Sequence, residues 1–151
     1  MNYNDVKKLL FNKLGTHKIM ALATSVNDNV MIRNVSCIIY NEKIYFKTDK
    51  NFNKTKQLLM NNKVALCFHG VALEGIAQNK GLVIEEKDLV FENKYQEYWD
   101  KSYNAYSHKE NEILIEVIPV SAEIWDQDER DYAFQTLINF ENEEIEILNY
   151  D

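Results

Sequence analysis

Three strand-like runs follow one another between residues 18 and 48, and only two or three polar residues separate each from the next. Lys18-Ile19-Met20-Ala21-Leu22-Ala23-Thr24-Ser25-Val26 is followed by Asn27-Asp28-Asn29. A second run covers residues 30–40, Asn41-Glu42 breaks it, and Lys43-Ile44-Tyr45-Phe46-Lys47-Thr48 forms the third. Breaks that short can reverse a chain but cannot hold the crossover that parallel neighbours need. The segment is therefore expected to be an antiparallel meander, and any sheet built on it is not of βαβ type.

The flanking segments extend this pattern. Asn4-Asp5 can cap a first helix carrying Val6, Leu9, Leu10 and Leu14, with Gly15 as its stop. After the meander, Asn51 or Asn53 can cap a short helix over residues 54–60. Strands four and five are expected over residues 64–69 and from Val71 through Gly75 to Ala77, where Gly75 signals a bulge or a close backbone approach. A helix is expected from Glu85 to about Trp99, a loop over residues 107–111, and a long sixth strand over residues 112–125. Pro119 should put an edge or a bulge in that strand. The remainder is acidic, with a hairpin expected around Glu141-Asn142-Glu143. Many short strands with few helices predict a mainly β (α+β) fold, a small barrel with helical covers. At 151 residues one domain is the economical reading, with residues 1–126 as the barrel domain and 127–151 as an acidic extension packed on it or on a dimer partner.

Composition narrows the function. Gly15, Gly70, Gly75 and Gly81 are the only glycines, which leaves no room for a dinucleotide-binding or P-loop glycine cradle. Cys37 and Cys67 lie in apolar runs and read as two buried thiols, without a CxxC. His17, His69 and His108 have no metal-ligand spacing. The first residues hold no apolar signal region and no apolar run approaches 18 residues, so a cytoplasmic protein without a membrane span is expected. The net charge of −7 argues against a nucleic-acid partner. That average conceals a strong asymmetry. Residues 1–63 hold eleven Lys/Arg against four Asp/Glu, a net of +7, and residues 64–151 hold six against twenty, a net of −14. A basic front half in an acidic protein points to an anion site.

Arg33 lies inside a strand, where a guanidinium is costly unless it has a partner. Thr48 ends the neighbouring strand and Lys54 falls in the first turn of the next helix. A planar fork, a hydroxyl, an ammonium and helix N–H groups suit a phosphate. The alternative is a surface arginine, an ordinary strand-end threonine and a solvated lysine.

The order of IMALAT, Arg33-Asn34-Val35-Ser36, Ile44-Tyr45-Phe46-Lys47-Thr48, Lys54-Thr55-Lys56-Gln57-Leu58, Asn61-Asn62-Lys63-Val64-Ala65-Leu66 and Gly75-Ile76-Ala77 resembles the pyridoxamine 5'-phosphate oxidase-like family over about residues 3–125. The resemblance implies a six-stranded antiparallel split β-barrel with covering helices. It also implies bound FMN, a homodimer with cofactor sites at its interface, and an oxidoreductase passing hydride between a reduced nicotinamide or similar donor and a small acceptor. It places Arg33 and Lys54 on the FMN phosphate. Asn34, Val35 and Ser36 would run beside the ring, and Lys47 and Thr48 would touch the flavin and its phosphate. Departures accompany it. Phe52 and Asn53 stand where the family often has serine and arginine, and the glutamine offered to the flavin is replaced near Gly70. The C-terminal tryptophan and arginine that grip pyridoxal are absent, which speaks against pyridoxal phosphate production. Alternatives on the same fold are haem, with His17, His69 or His108 as ligand, a deazaflavin, or a non-enzymatic flavin-sensing module.

Overall fold

The computed structural model describes residues 1–101 and 110–150. Helix α1 (Tyr3–Leu14) leads into strands β1 (His17–Val26), β2 (Asn29–Tyr40) and β3 (Lys43–Asp49). Helix α2 (Asn53–Met60), β4 (Lys63–Phe68) and β5 (Val71–Leu82) follow. After two 3-10 turns come α3 (Val90–Tyr98), β6 (Glu112–Gln127), β7 (Ala133–Asn139) and β8 (Glu144–Asn149). The sheet runs β3-β2-β1-β4-β5-β6-β7-β8, and an additional β3–β6 pairing closes its first six strands into an antiparallel barrel. That is a split β-barrel, and the expected hairpin in the acidic tail forms β7 and β8 beyond it.

The meander is built as its breaks require. Asn27 and Asp28 have φ of 50° and 66°, and Asn41 and Glu42 have 53° and 57°. Two consecutive positive φ values give the turn twist that matches flanking strands. Alternation then sorts the side chains: Met20, Leu22 and Thr24 of β1 point inward, as do Val64 and Leu66 of β4. Helix α1 inserts Val6, Leu10 and Leu14, all fully buried, into the same core. A smaller cluster of Ile38, Tyr45, Val83, Phe91, Tyr95 and Leu114 seats α3 on the barrel.

The β5–β6 ladder carries the irregularity that Gly75 and Pro119 signalled. Glu74 faces Ser121 while Gly75 faces Pro119, so Val120 is an extra residue in β6. A Cβ on Gly75 would lie 2.6 Å from Val117 Cγ1 and 2.8 Å from the Ile118 carbonyl oxygen. Below this bulge β6 pairs with β3 and closes the barrel, and above it β6 pairs with β7. The sheet therefore runs from β6 into the acidic tail without a linker at residue 127. Rings of Tyr3 and Phe11 against Phe140 tie α1 to that tail, and Lys13, 3.0 Å from Asp126, ties it to β6.

Four local expectations are corrected. Helix α1 is capped by Asn2, which exchanges side-chain bonds with Asp5, rather than by Asn4-Asp5. Strand β5 runs on to Leu82, and the helix expected from Glu85 begins at Val90, because Asp88 and Leu89 adopt positive φ and break it into turns. Helix α2 starts after Phe52, not after an asparagine cap. Cys67 is exposed, since Val64 and Leu66 take the inward positions of β4 and leave it the outward one; Cys37 is fully buried. His108 and most of the expected loop lie outside the described residues. Among the described residues no helix is long and apolar enough to cross a membrane.

Candidate functional site

The split in the barrel lies between β2 and β3. These strands pair only through Ile38–Tyr40 and Lys43–Tyr45, then diverge. Over Asn34, Val35 and Ser36, β2 pairs with β1 alone, at Ala21, Met20 and Ile19. Its other edge has no strand partner among the described residues. The edge of β3 away from β6 is likewise unpaired beyond Tyr45. Backbone N–H and C=O groups on both strands therefore have no ladder partner where the strands diverge, and the space between the two edges is a candidate cleft.

Arg33 stands on β2 at the mouth of this cleft, and α2 brings Lys54 to it. Arg33 Nη1 donates to Thr24 Oγ1 at 2.8 Å and to the Met31 carbonyl at 3.2 Å; Nη2 donates to the Lys54 carbonyl at 3.4 Å. Its Nε is buried without a partner. Three of the five guanidinium hydrogens are thus used, and the Nε–H and one Nη2–H remain for a ligand. Among the described residues neither Arg33 nor Lys54 has a carboxylate in salt-bridge range. Burial lowers the pKa of Arg33. Burial and then the neighbouring Arg33 charge lower that of Lys54. Two adjacent cations held without a counterion are a candidate anion site, since a bound anion would remove the penalty that burial and mutual repulsion impose.

The start of α2 adds to the same field. Phe52 offers no side-chain acceptor to the first turn and its carbonyl already takes the Thr55 N–H at 3.1 Å, which leaves the N–H groups of Asn53 and Lys54 to an outside oxygen. The Lys54 ammonium lies 5.7 Å from the centroid of the half-exposed Phe52 ring.

Thr48 is buried. Thr55 Oγ1 donates to the Asp49 carbonyl at 2.7 Å and lies 2.8 Å from Thr48 Oγ1. Since the Thr55 proton goes to Asp49, Thr48 must donate to Thr55. Thr48 therefore fastens the first turn of α2 to β3, and its proton is not turned to the cleft. Lys47 points to the opposite face of β3. Its ammonium lies 3.2 Å from Glu92 and 3.1 Å from Glu112, with the Tyr95 ring centroid 4.3 Å away, in a cluster less than a tenth exposed. The structure thus brings Arg33, Lys54 and the β2 backbone at Asn34, Val35 and Ser36 to one cleft, with Thr48 behind them and Lys47 engaged with α3.

Two further side chains belong to this arrangement, Thr24 and Gln57, joined by a 2.9 Å hydrogen bond. Sequence reasoning passed over both. Thr24 lies in a strand-like run and Gln57 in a short helix, and each enters only within the strings that carry the family resemblance, without a role. The available signal was a threonine on the inward face of a buried strand, which requires a partner. His17 stacks on Tyr98 and meets Trp99, while the His69 ring lies edge-on to Phe68. Among the described residues there is no metal-binding cluster.

No protein-family model and no curated protein matches the chain. Solved structures do. A candidate pyridoxamine 5'-phosphate oxidase from Listeria innocua aligns over 81% of this chain and 96% of its own, at 16% identity and a TM-score of 0.56. PhzG from Burkholderia lata 383, solved in complex with tetrahydrophenazine-1-carboxylic acid, aligns over 99% and 92%, at 11% identity and a TM-score of 0.64. A FAD-binding protein from Mesorhizobium loti aligns over 76% and 90%, at 11% identity and a TM-score of 0.60. At these identities the likeness establishes the split-barrel fold.

Proposed function

We propose that the chain is an FMN-binding flavoprotein and an oxidoreductase that passes hydride between a reduced nicotinamide or similar donor and a small acceptor. The observation that carries this reading is the Arg33–Lys54 pair. It consists of two neighbouring cations without a carboxylate, one with an orphaned buried N–H, at the mouth of a cleft edged by unpaired strand backbone. A phosphate monoester fits those donors, with Arg33 offering two N–H groups and Lys54 a point charge. The edge at Asn34, Val35 and Ser36 would supply backbone hydrogen bonds to a ring that such a phosphate anchors. Neighbours in fold include a FAD-binding protein and a candidate pyridoxamine 5'-phosphate oxidase, which agrees with a flavin. Once bound, the flavin supplies the hydride chemistry, and the protein supplies position, charge and exclusion of water. This division requires no nucleophile or general base.

The test is titration of the apoprotein with FMN, followed by flavin absorbance and fluorescence. Arg33→Ala is expected to weaken binding by about 1.5–3 kcal/mol, the range for a hydrogen bond to a charged group. Unchanged affinity would contradict the site. FMN binding without NADH or NADPH oxidation would make the protein a non-enzymatic flavin module.

A further inference from the structure

The cation that would take the phosphate is not held by β2 alone. Thr24 is 2% exposed, and its hydroxyl has one proton to give. Arginine can only donate, so at 2.8 Å from Arg33 Nη1 the Thr24 oxygen must accept. Its own proton then needs an acceptor, and Gln57 Oε1 lies 2.9 Å away. The chain has one direction: Arg33 to Thr24 to Gln57. It joins three elements, since Arg33 is on β2, Thr24 on β1 and Gln57 on α2. Gln57 lies three residues after Lys54, on the same side of α2. The Lys54 carbonyl accepts from Arg33 Nη2 as well. Asn61, at the end of the same helix, donates to the Ser25 carbonyl at 3.0 Å and continues the seam to β1.

We propose that Thr24 and Gln57 are positioning residues for the anion site. They fix the Arg33 guanidinium so that its remaining N–H groups face a phosphate monoester, and they set α2, with Lys54, in register with it. This rests on the reading of the cleft as a flavin phosphate site. A free guanidinium on β2 would lose rotamer entropy on binding, whereas a tethered one has already lost it. Substitution of Thr24 should therefore be felt by the phosphate and not by the ring.

The experiment compares FMN with riboflavin, which lacks the phosphate, on wild type, Thr24→Val, Thr24→Ser and Arg33→Ala. Fluorescence titration gives the affinities. Thr24→Val keeps the shape and removes the hydroxyl, and it should weaken FMN about tenfold while leaving riboflavin unchanged. Thr24→Ser restores the relay and should bind FMN like wild type. Unaltered riboflavin binding shows that Thr24→Val is folded. Full FMN affinity in Thr24→Val, beside a loss in Arg33→Ala, overturns the relay and spares the site. An equal loss of riboflavin and FMN in Thr24→Val, or a loss that Thr24→Ser shares, also overturns it, since the effect is then structural. Failure of wild type to bind FMN overturns both.

Discussion

Lys54 shows how a single residue can report on the site. Its ordinary pKa of 10.5 is lowered by burial and then by Arg33. Raising the pH through that lowered value removes its charge, so anion affinity should begin to fall before pH 10.5. On the acid side a phosphate ester loses its second charge below about pH 6. FMN affinity is therefore expected to form a plateau between these limits. Lys54→Arg should abolish the alkaline limb and leave the acid one, and a flat alkaline profile in wild type would contradict the placement of Lys54. The sign for folding is opposite. A lysine with a depressed native pKa binds more protons unfolded, so its contribution makes the apoprotein more stable as pH rises through the same window. Arg33 was legible from sequence because a guanidinium inside a strand demands an explanation. Thr24 was not, because its partners lie 9 and 33 residues away.

Elements were legible where local chemistry dictates them. The two-residue breaks of the meander demanded tight turns, and Asn27-Asp28 and Asn41-Glu42 adopt the required positive φ. The start of α3 was not legible, because Asp88 and Leu89 break a sequence of good helix formers. Lys47 is a related case. Its strand position was plain from alternation, but its partners Glu92 and Glu112 come from α3 and β6. That buried cluster ties α3 to β3 and β6. Gly75 holds β5 against the bulge of β6, and the contact that a Cβ would make there is with backbone as well as side chain. Gly75→Ala should destabilise the fold by about 1–3 kcal/mol, the usual cost of overpacking, read as a lowered denaturation midpoint. An unchanged midpoint would mean that the two strands can separate locally without cost.

At the scale of the whole molecule, the charge asymmetry acquires a place. The basic front contributes Arg33 and Lys54 to the cleft. Four glutamates of the acidic back, Glu74, Glu123, Glu144 and Glu146, line an open groove of about 620 Å³ over β5 to β8. A second groove, lined by Thr24, Val30, Lys63 and Gly75 among others, shares Ala65 and Glu74 with it. Beside it β2 exposes Val30, Met31 and Ile32 in succession, Val30 at 70% and Ile32 at 68%. We propose that this face meets a second copy of the chain, basic front to acidic back, which would cover both the apolar run and the cleft. Sedimentation equilibrium should then give twice 17.8 kDa, and Ile32→Glu should shift it toward a single chain. A monomeric wild type would contradict the interface. The barrel was legible in the order of strands and the tail hairpin in its turn around Glu141-Asn142-Glu143, but the joining of that hairpin to the barrel sheet was not, because it depends on the pairing of β7 with β6.

On the proposed reading, the cleft between β2 and β3 recognises a flavin through its phosphate. The most direct measurement is the affinity of the wild-type apoprotein for FMN and for riboflavin, side by side in one buffer. Two charged contacts should favour FMN by about 3 kcal/mol or more, roughly a hundredfold. Equal affinities, or no binding of FMN, would contradict the account.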